Sequence, residues 1–152
     1  MKISGQHELK APLEKTWKAL NDPATLQKVT PGCERLHPVG PDEFEATLTL
    51  GVAMVKGTYK GKLTLRDKTP PESYRLAVEG TGAPGFVKGE ATLRLTRQEG
   101  GGTLVSYEGE AQVGGAIASV GQRLMEGAAR MVLSQFFKNL EKELGRKKEG
   151  KS

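Results

Sequence analysis

Residues able to carry covalent or acid–base chemistry are few in this chain, and they are scattered. There are two histidines, His7 and His37, and one cysteine, Cys33. A zinc site gathers three or four His, Cys or carboxylate ligands at one point, usually with a recognisable local spacing; no such spacing occurs here. A Cys33 nucleophile would need a base and a third group to orient that base. None is evident, and Cys33 reads as a small buried thiol. The run Gly80-Thr81-Gly82-Ala83-Pro84-Gly85 is glycine-rich, but it leads from one strand to the next and not into the helix N-terminus that cradles a phosphate. The acids Glu43, Glu45, Glu79, Glu90, Glu108 and Glu110 fall largely at strand positions predicted to face water. Two phenols remain, Tyr59 and Tyr107, at positions where an inward hydroxyl would orient a carbonyl group. The residues therefore point to binding, with no catalytic residue and no metal ligand assigned.

The elements that must position those phenols follow from apolar periodicity. Lys2 to Leu9 alternates weakly and reads as a strand. Pro12 opens a short helix with Leu13, Trp17 and Leu20 on one face, and Asp22-Pro23 caps a second that carries Leu26 and Val29. From Cys33 to Val113 the period changes to two. Phe44, Ala46, Leu48 and Leu50 alternate with polar residues, as do Tyr59, Gly61, Leu63 and Leu65, then Tyr74, Leu76 and Val78, then Ala91, Leu93 and Leu95, then Val105 to Val113. With a strand near Glu34 to Val39 this is a six-stranded meander, dry on one face and wet on the other. A long helix is expected from Ala116 to Leu144, its apolar stripe carrying Ile117, Val120, Leu124, Ala128, Met131, Val132, Phe136, Leu140 and Leu144. The predicted fold class is α+β: a curved seven-stranded antiparallel sheet wrapped around a long C-terminal helix, with two short helices after the first strand. One domain is expected over residues 1–145, followed by a short basic disordered tail, 146–152.

Several inward positions are small, among them Ala46, Gly61, Ala91, Gly109 and Ala111. They either bend the sheet and let the helix approach, or leave room for a ligand. The turns favour room. One end of the meander has wet turns, Gly40 to Asp42, Asp67 to Glu72 and Glu99 to Gly102. The other has apolar, glycine-rich ones, Gly51 to Met54, Thr81 to Phe86 and Val113 to Ala116. Three dry loops at one end are expected to form the mouth of an apolar chamber, with Met54 and Phe86 as its lid; the alternative is that they pack on each other or on a partner. The expected ligand-binding residues are Phe44, Leu48, Met54, Tyr59, Leu63, Leu76, Phe86, Leu93, Tyr107, Ile117, Leu124, Ala128 and Val132.

The chain has 152 residues, enough for one self-sufficient core, with 23 basic and 18 acidic residues for a net charge of +5. Arg146, Lys147, Lys148 and Lys151 hold much of the excess. That end is expected to fray, or to contact an anionic membrane peripherally. Few aromatics and no recognisable motif argue against nucleic acid. No run of 18 to 20 apolar residues is present and the N-terminus has no apolar leader. A single cysteine fits a reducing compartment, so the expected location is the cytoplasm, with a peripheral position at the inner face of the cytoplasmic membrane as an extension.

The motifs Leu20-Asn21-Asp22-Pro23, Pro31-Gly32-Cys33-Glu34, Glu43-Phe44-Glu45-Ala46-Thr47, Tyr59-Lys60-Gly61-Lys62, Pro70-Pro71-Glu72-Ser73-Tyr74, Ala83-Pro84-Gly85-Phe86-Val87-Lys88-Gly89, Ala111-Gln112-Val113-Gly114-Gly115 and Phe136-Phe137 occur in an order that resembles the CoxG family of carbon monoxide dehydrogenase proteins. That family lies within the START-like, polyketide cyclase-like SRPBCC superfamily. The resemblance covers residues 1 to 144. It implies a helix-grip fold, a hydrophobic cavity, and an accessory, recruitment or carrier role beside a carbon monoxide dehydrogenase-like molybdenum hydroxylase, with an isoprenoid quinone or other lipid as ligand. Relatives in the superfamily also include cyclases and hydrolases, so an enzyme acting on an apolar substrate in the same cavity is the competing class. A structural assembly factor with a filled core is a third. Only Gly145 to Ser152 follow the helix, so any membrane contact is expected to be peripheral and charge-assisted.

Overall fold

The computed structural model describes residues 1–51 and 55–149, with side chains as far as Gly145. Met54, one of the two expected lid residues, lies outside the described residues. The first strand, β1 (Lys2–Leu9), is followed by α1 (Leu13–Leu20) and α2 (Pro23–Val29). Asp22 caps α2 by accepting from the Thr25 amide at 3.2 Å and from its hydroxyl at 2.6 Å, and Pro23 holds the first helical position. Six strands follow: β2 (Cys33–Gly40), β3 (Glu43–Leu50), β4 (Gly57–Thr69), β5 (Ser73–Gly82), β6 (Gly85–Arg97) and β7 (Thr103–Gly114). All seven strands form one antiparallel sheet in the order β1-β7-β6-β5-β4-β3-β2. The meander runs out from β7 to β2, and β1 closes on β7. This is the helix-grip arrangement that the periodicity predicts.

The end of the chain departs from expectation in one respect. It is not a single helix from Ala116. A 3-10 turn, Ala116–Val120, stops at Gly121, whose φ of 94° only glycine adopts readily, and α3 (Gln122–Glu149) begins afresh. Its backbone continues to Glu149, past the domain boundary expected at residue 145. At 1.5 Å per residue, its 28 residues span about 42 Å. The helical phase read through Ile117 and Val120 therefore does not carry across Gly121. Counted back from Leu144 and Leu140, the buried stripe passes Phe137, Leu133 and Ala128 to Met125, and Leu124 and Met131 fall outside it, 52% and 62% exposed. Leu124 is thus not a wall residue.

Two separate groups of buried side chains hold α3 to the concave face. The larger lies at the wet-turn end, where Phe44, Leu65, Tyr74, Leu93, Leu95 and Val105 of the sheet meet α1, α2 and the C-terminal half of α3, chiefly Phe137, Leu140 and Leu144. The smaller lies at the opposite end: Val55, Tyr59, Ile117 and Ala128, bordered by Leu50, Val87, Val113 and Met125. Leu140 is wholly buried, so Leu140→Ala should lower unfolding free energy by about 2–5 kcal/mol. Leu124→Ala should stay within about 0.5 kcal/mol of wild type. Urea denaturation of the two variants checks the phase of α3 directly.

Candidate functional site

Between the two packed ends, the concave face is floored by small residues. The strand register aligns Ala46 with Gly61 and Gly61 with Gly80. One row along, Val78 pairs with Gly89 and Gly89 with Ala111; beyond them Ala91 pairs with Gly109 and Gly109 with Ile3. Val78 shares the inward side of β5 with the buried Tyr74, yet it is 37% exposed. An apolar side chain pointing inward from the middle strand of a seven-stranded sheet is exposed only if nothing stands over it. Leu48 and Val132 are likewise half-buried and join neither packed end. The middle of the sheet–helix interface is therefore a cleft reached by water, where the sequence led us to expect an enclosed chamber.

The three dry loops do converge, but as an end wall. The Ile117 amide donates to the Pro84 carbonyl at 2.8 Å. A Cβ added at Gly57 would stand 2.6 Å from the Pro84 ring, and one at Gly115 would stand 2.7 Å from Gly85 Cα. The Tyr59 hydroxyl donates to the Val55 carbonyl at 2.7 Å within the same group, which occupies its proton and pushes Tyr59 away from the role of head-group donor. Phe86 is not a lid. It shares the outer side of β6 with Lys88 and Glu90, lies against Gly114 of β7, and is 46% exposed. The parity of the strand places it there, because the inward side of β6 is taken by Val87, Gly89, Ala91 and Leu93.

The other expected ligand residues divide among three places. Phe44 and Leu93 are packed within the larger core, with Leu63, Leu76 and Tyr107 partly buried at its border. Tyr59, Ile117 and Ala128 belong to the smaller one. Leu48 and Val132 face the gap, with Val78 and Ala111 beside them. The strand alternation contained Val78, but its exposure follows from the length of the hollow, which periodicity does not measure.

Polar chemistry enters the cleft at one margin only, where β1 and β7 approach α3. Phe137 stacks on His7 with ring centroids 4.1 Å apart, and Tyr107 lies near-parallel to both at 6.1 and 6.0 Å. Burial pushes His7 below its ordinary pKa of 6.5. Burial also raises the Tyr107 phenol, while the Arg130 guanidinium acts in the opposite direction. Sequence periodicity sets Arg130 on the solvent side of the helix, and the stacking partner in α3 is Phe137 and not the Phe136 of the predicted stripe. Cys33 is half-buried, its thiol donates to the Arg35 carbonyl at 3.4 Å, and burial raises its pKa. It does not reach the cleft margin. Among the described residues no three His, Cys, Asp or Glu side chains gather as a metal site. On the outer face Glu90 pairs with Arg75 at 3.1 Å and Arg66 at 3.5 Å, all three exposed.

This geometry agrees with what the chain is similar to. The family model of the carbon monoxide dehydrogenase protein CoxG matches residues 5–145. The chain belongs to the CoxG family. A conserved protein from Geobacillus kaustophilus is 39% identical over 96% of each chain, and its crystal structure superposes with a TM-score of 0.94. A START superfamily protein from Mycobacterium smegmatis is 12% identical, covers 95% of this chain and 97% of its own, and superposes at 0.76; it establishes the shared fold alone. A protein from Chromobacterium violaceum does so too, at 18% identity, 94% and 96% coverage and a TM-score of 0.69. No curated protein matches the chain. No helix among the described residues of this CoxG protein is long and apolar enough to cross a membrane.

The stacked margin makes a measurable prediction. His7 holds its proton less readily in the fold than in the unfolded chain. Above about pH 6.5 the imidazole is neutral in both states; below it the unfolded chain binds more protons and stability falls as pH falls. An NMR titration should find His7 below its ordinary value. His7→Phe, which keeps a ring in the stack, should lessen the loss of Tm between about pH 7 and about pH 5.

Proposed function

We propose that this chain holds a lipid-like molecule of the isoprenoid-quinone class in the middle of its cleft. In this reading it serves a carbon monoxide dehydrogenase-like molybdenum hydroxylase as a non-catalytic recruitment or carrier protein. The observation that carries the reading is Val78, exposed at the centre of a concave apolar face whose two ends are packed. A protein with nothing to bind would gain by closing that gap. Each square ångström of apolar surface withdrawn from water stabilises by about 25 cal/mol. A tail that covers roughly 300 Å² of surface gains on the order of 7 kcal/mol before the cost of association is subtracted. Ala46, Gly61, Gly89 and Ala111 provide the depth, and Leu48, Leu63, Leu76, Val78 and Val132 provide the apolar walls.

Membership of the CoxG family supports the accessory role, and the fold is one that shelters apolar guests between sheet and helix. Arg146, Lys147, Lys148 and Lys151 would draw the loaded protein to an anionic membrane surface, at roughly 1 kcal/mol per basic residue near the surface. This would place it, in the cytoplasm, at the inner face of the membrane where long-tailed quinones reside.

Native mass spectrometry of the protein incubated with decylubiquinone tests the reading. Wild type should retain one equivalent. Ala111→Phe, which puts a ring into the gap, should weaken retention by at least about tenfold, or about 1.4 kcal/mol, with the fold intact by circular dichroism. Wild-type protein that retains neither the quinone nor any apolar probe would overturn it.

A further inference from the structure

We infer that Tyr107 and Arg130 form the polar end of the cleft, a pair of donors that anchors an acceptor oxygen at the head of an apolar tail. A quinone carbonyl and a fatty-acid carboxylate both offer such an oxygen. The inference rests on reading the gap as a lipid site and adds to it where the guest's head lies.

Three placements bring the two groups together. Tyr107 of β7 sits opposite Gly5 of β1. A Cβ at Gly5 would stand 2.5 Å from the Tyr107 hydroxyl oxygen and 2.8 Å from Cζ, so the ring lies across β1 in the space that this glycine leaves and carries its hydroxyl to the β1 margin. Phe137 fixes α3 over β1 by stacking on His7, two residues further along that strand. Arg130 precedes Phe137 by seven residues, close to two helical turns, which puts it on the same stripe about 10 Å nearer the smaller core. Strand and helix thus present the phenol and the guanidinium to the same stretch of the margin, and the guanidinium's charge is felt at the Tyr107 hydroxyl. Immediately beyond Tyr107 on the inward side of β7 come Gly109 and Ala111, where the small-residue floor of the gap begins.

The bonding of the pair is incomplete. Tyr59 donates its hydroxyl proton to the Val55 carbonyl; the Tyr107 hydroxyl has no hydrogen-bond partner among the described residues. Arg66 and Arg75 pair with Glu90, and Arg97 with Glu14; Arg130 has no carboxylate partner among the described residues. A guanidinium only donates, and a phenol donates readily. What both lack is one oxygen able to accept from each. With a head held there, the tail runs over Gly109, Ala111 and Gly89 towards Val78 and the smaller core. The opposite direction is closed by His7, Phe137 and Leu140.

The test measures three probes: decylubiquinone, cis-parinaric acid as a fatty acid, and diphenylhexatriene, which has no polar atom. Tyr107→Phe and Arg130→Gln should each weaken an oxygen-headed probe by about tenfold, the size of one charge-assisted hydrogen bond, and leave diphenylhexatriene within about twofold of wild type. Arg123→Gln, a substitution on the exposed side of α3, should change none of the three. The two head groups separate by their response. Loss confined to cis-parinaric acid, with recovery in Arg130→Lys, identifies a carboxylate; loss confined to the quinone identifies a carbonyl. Unchanged affinity of both headed probes in both variants overturns the anchor while the cleft stands. Failure of the wild type to bind all three overturns the anchor together with the cleft.

Discussion

A sheet can bend around a helix only where its concave face lacks side chains, and that constraint governs this molecule. Adjacent strands crowd each other on the inside of a bend. At Gly61 an added Cβ would stand 2.6 Å from Gly80 Cα and closer still to the Glu79 carbonyl oxygen; at Gly109 it would stand 2.7 Å from the Ala91 Cβ. The glycines are required by curvature before they serve any guest. Once they are there, the floor beneath α3 is too low for the helix to fill, because a helix is a straight rod and the sheet curls away from it. Side chains at the two ends reach across the distance, and in the middle none does. Room for a ligand is thus the geometric remainder of a bend.

The same account explains which parts of the structure were legible in the sequence. Period-two alternation over five strands located the sheet, its dry side and its order, since one face of an antiparallel sheet is buried whatever the curvature. The Asp22 cap with Pro23, and the proline that opens α1, were local signals with local causes. Leu124 and Phe86 were misplaced for different reasons. The phase of α3 is reset by the backbone of Gly121, and a stripe counted through that residue is off by most of a half-turn. Phe86 follows a turn whose length sets which side of β6 it faces, and an apolar residue beside a glycine-rich loop looks inward until that parity is known. The chamber was expected to open through the dry loops because loops are normally polar. Here they are apolar because Ile117, Pro84 and Val55 pack against one another.

The chemistry of the site was harder to read because it depends on side chains from distant segments. Nothing local to Arg130 marks it as different from Arg123 or Lys138. Its significance comes from the ring stack of His7, Tyr107 and Phe137, which joins β1, β7 and α3 across more than a hundred residues of chain. By contrast, the exclusion of metal and thiol chemistry needed only a count of residue types, and the outward acids were placed correctly by alternation alone.

The unequal fastening of α3 has a kinetic consequence. Its C-terminal half is bound to the larger core by Phe137, Leu140 and Leu144, whereas its first two turns are held by Ala128 and Met125, next to two glycines, 121 and 127, that have open space around them. Local opening follows the weakest set of contacts. Amide hydrogen exchange should therefore run as a gradient along this one helix, fast near Gln122 and slow near Leu140. A guest can pass beneath the loosely tethered half while the rest of the fold stays closed, so loading and release need not wait for global unfolding.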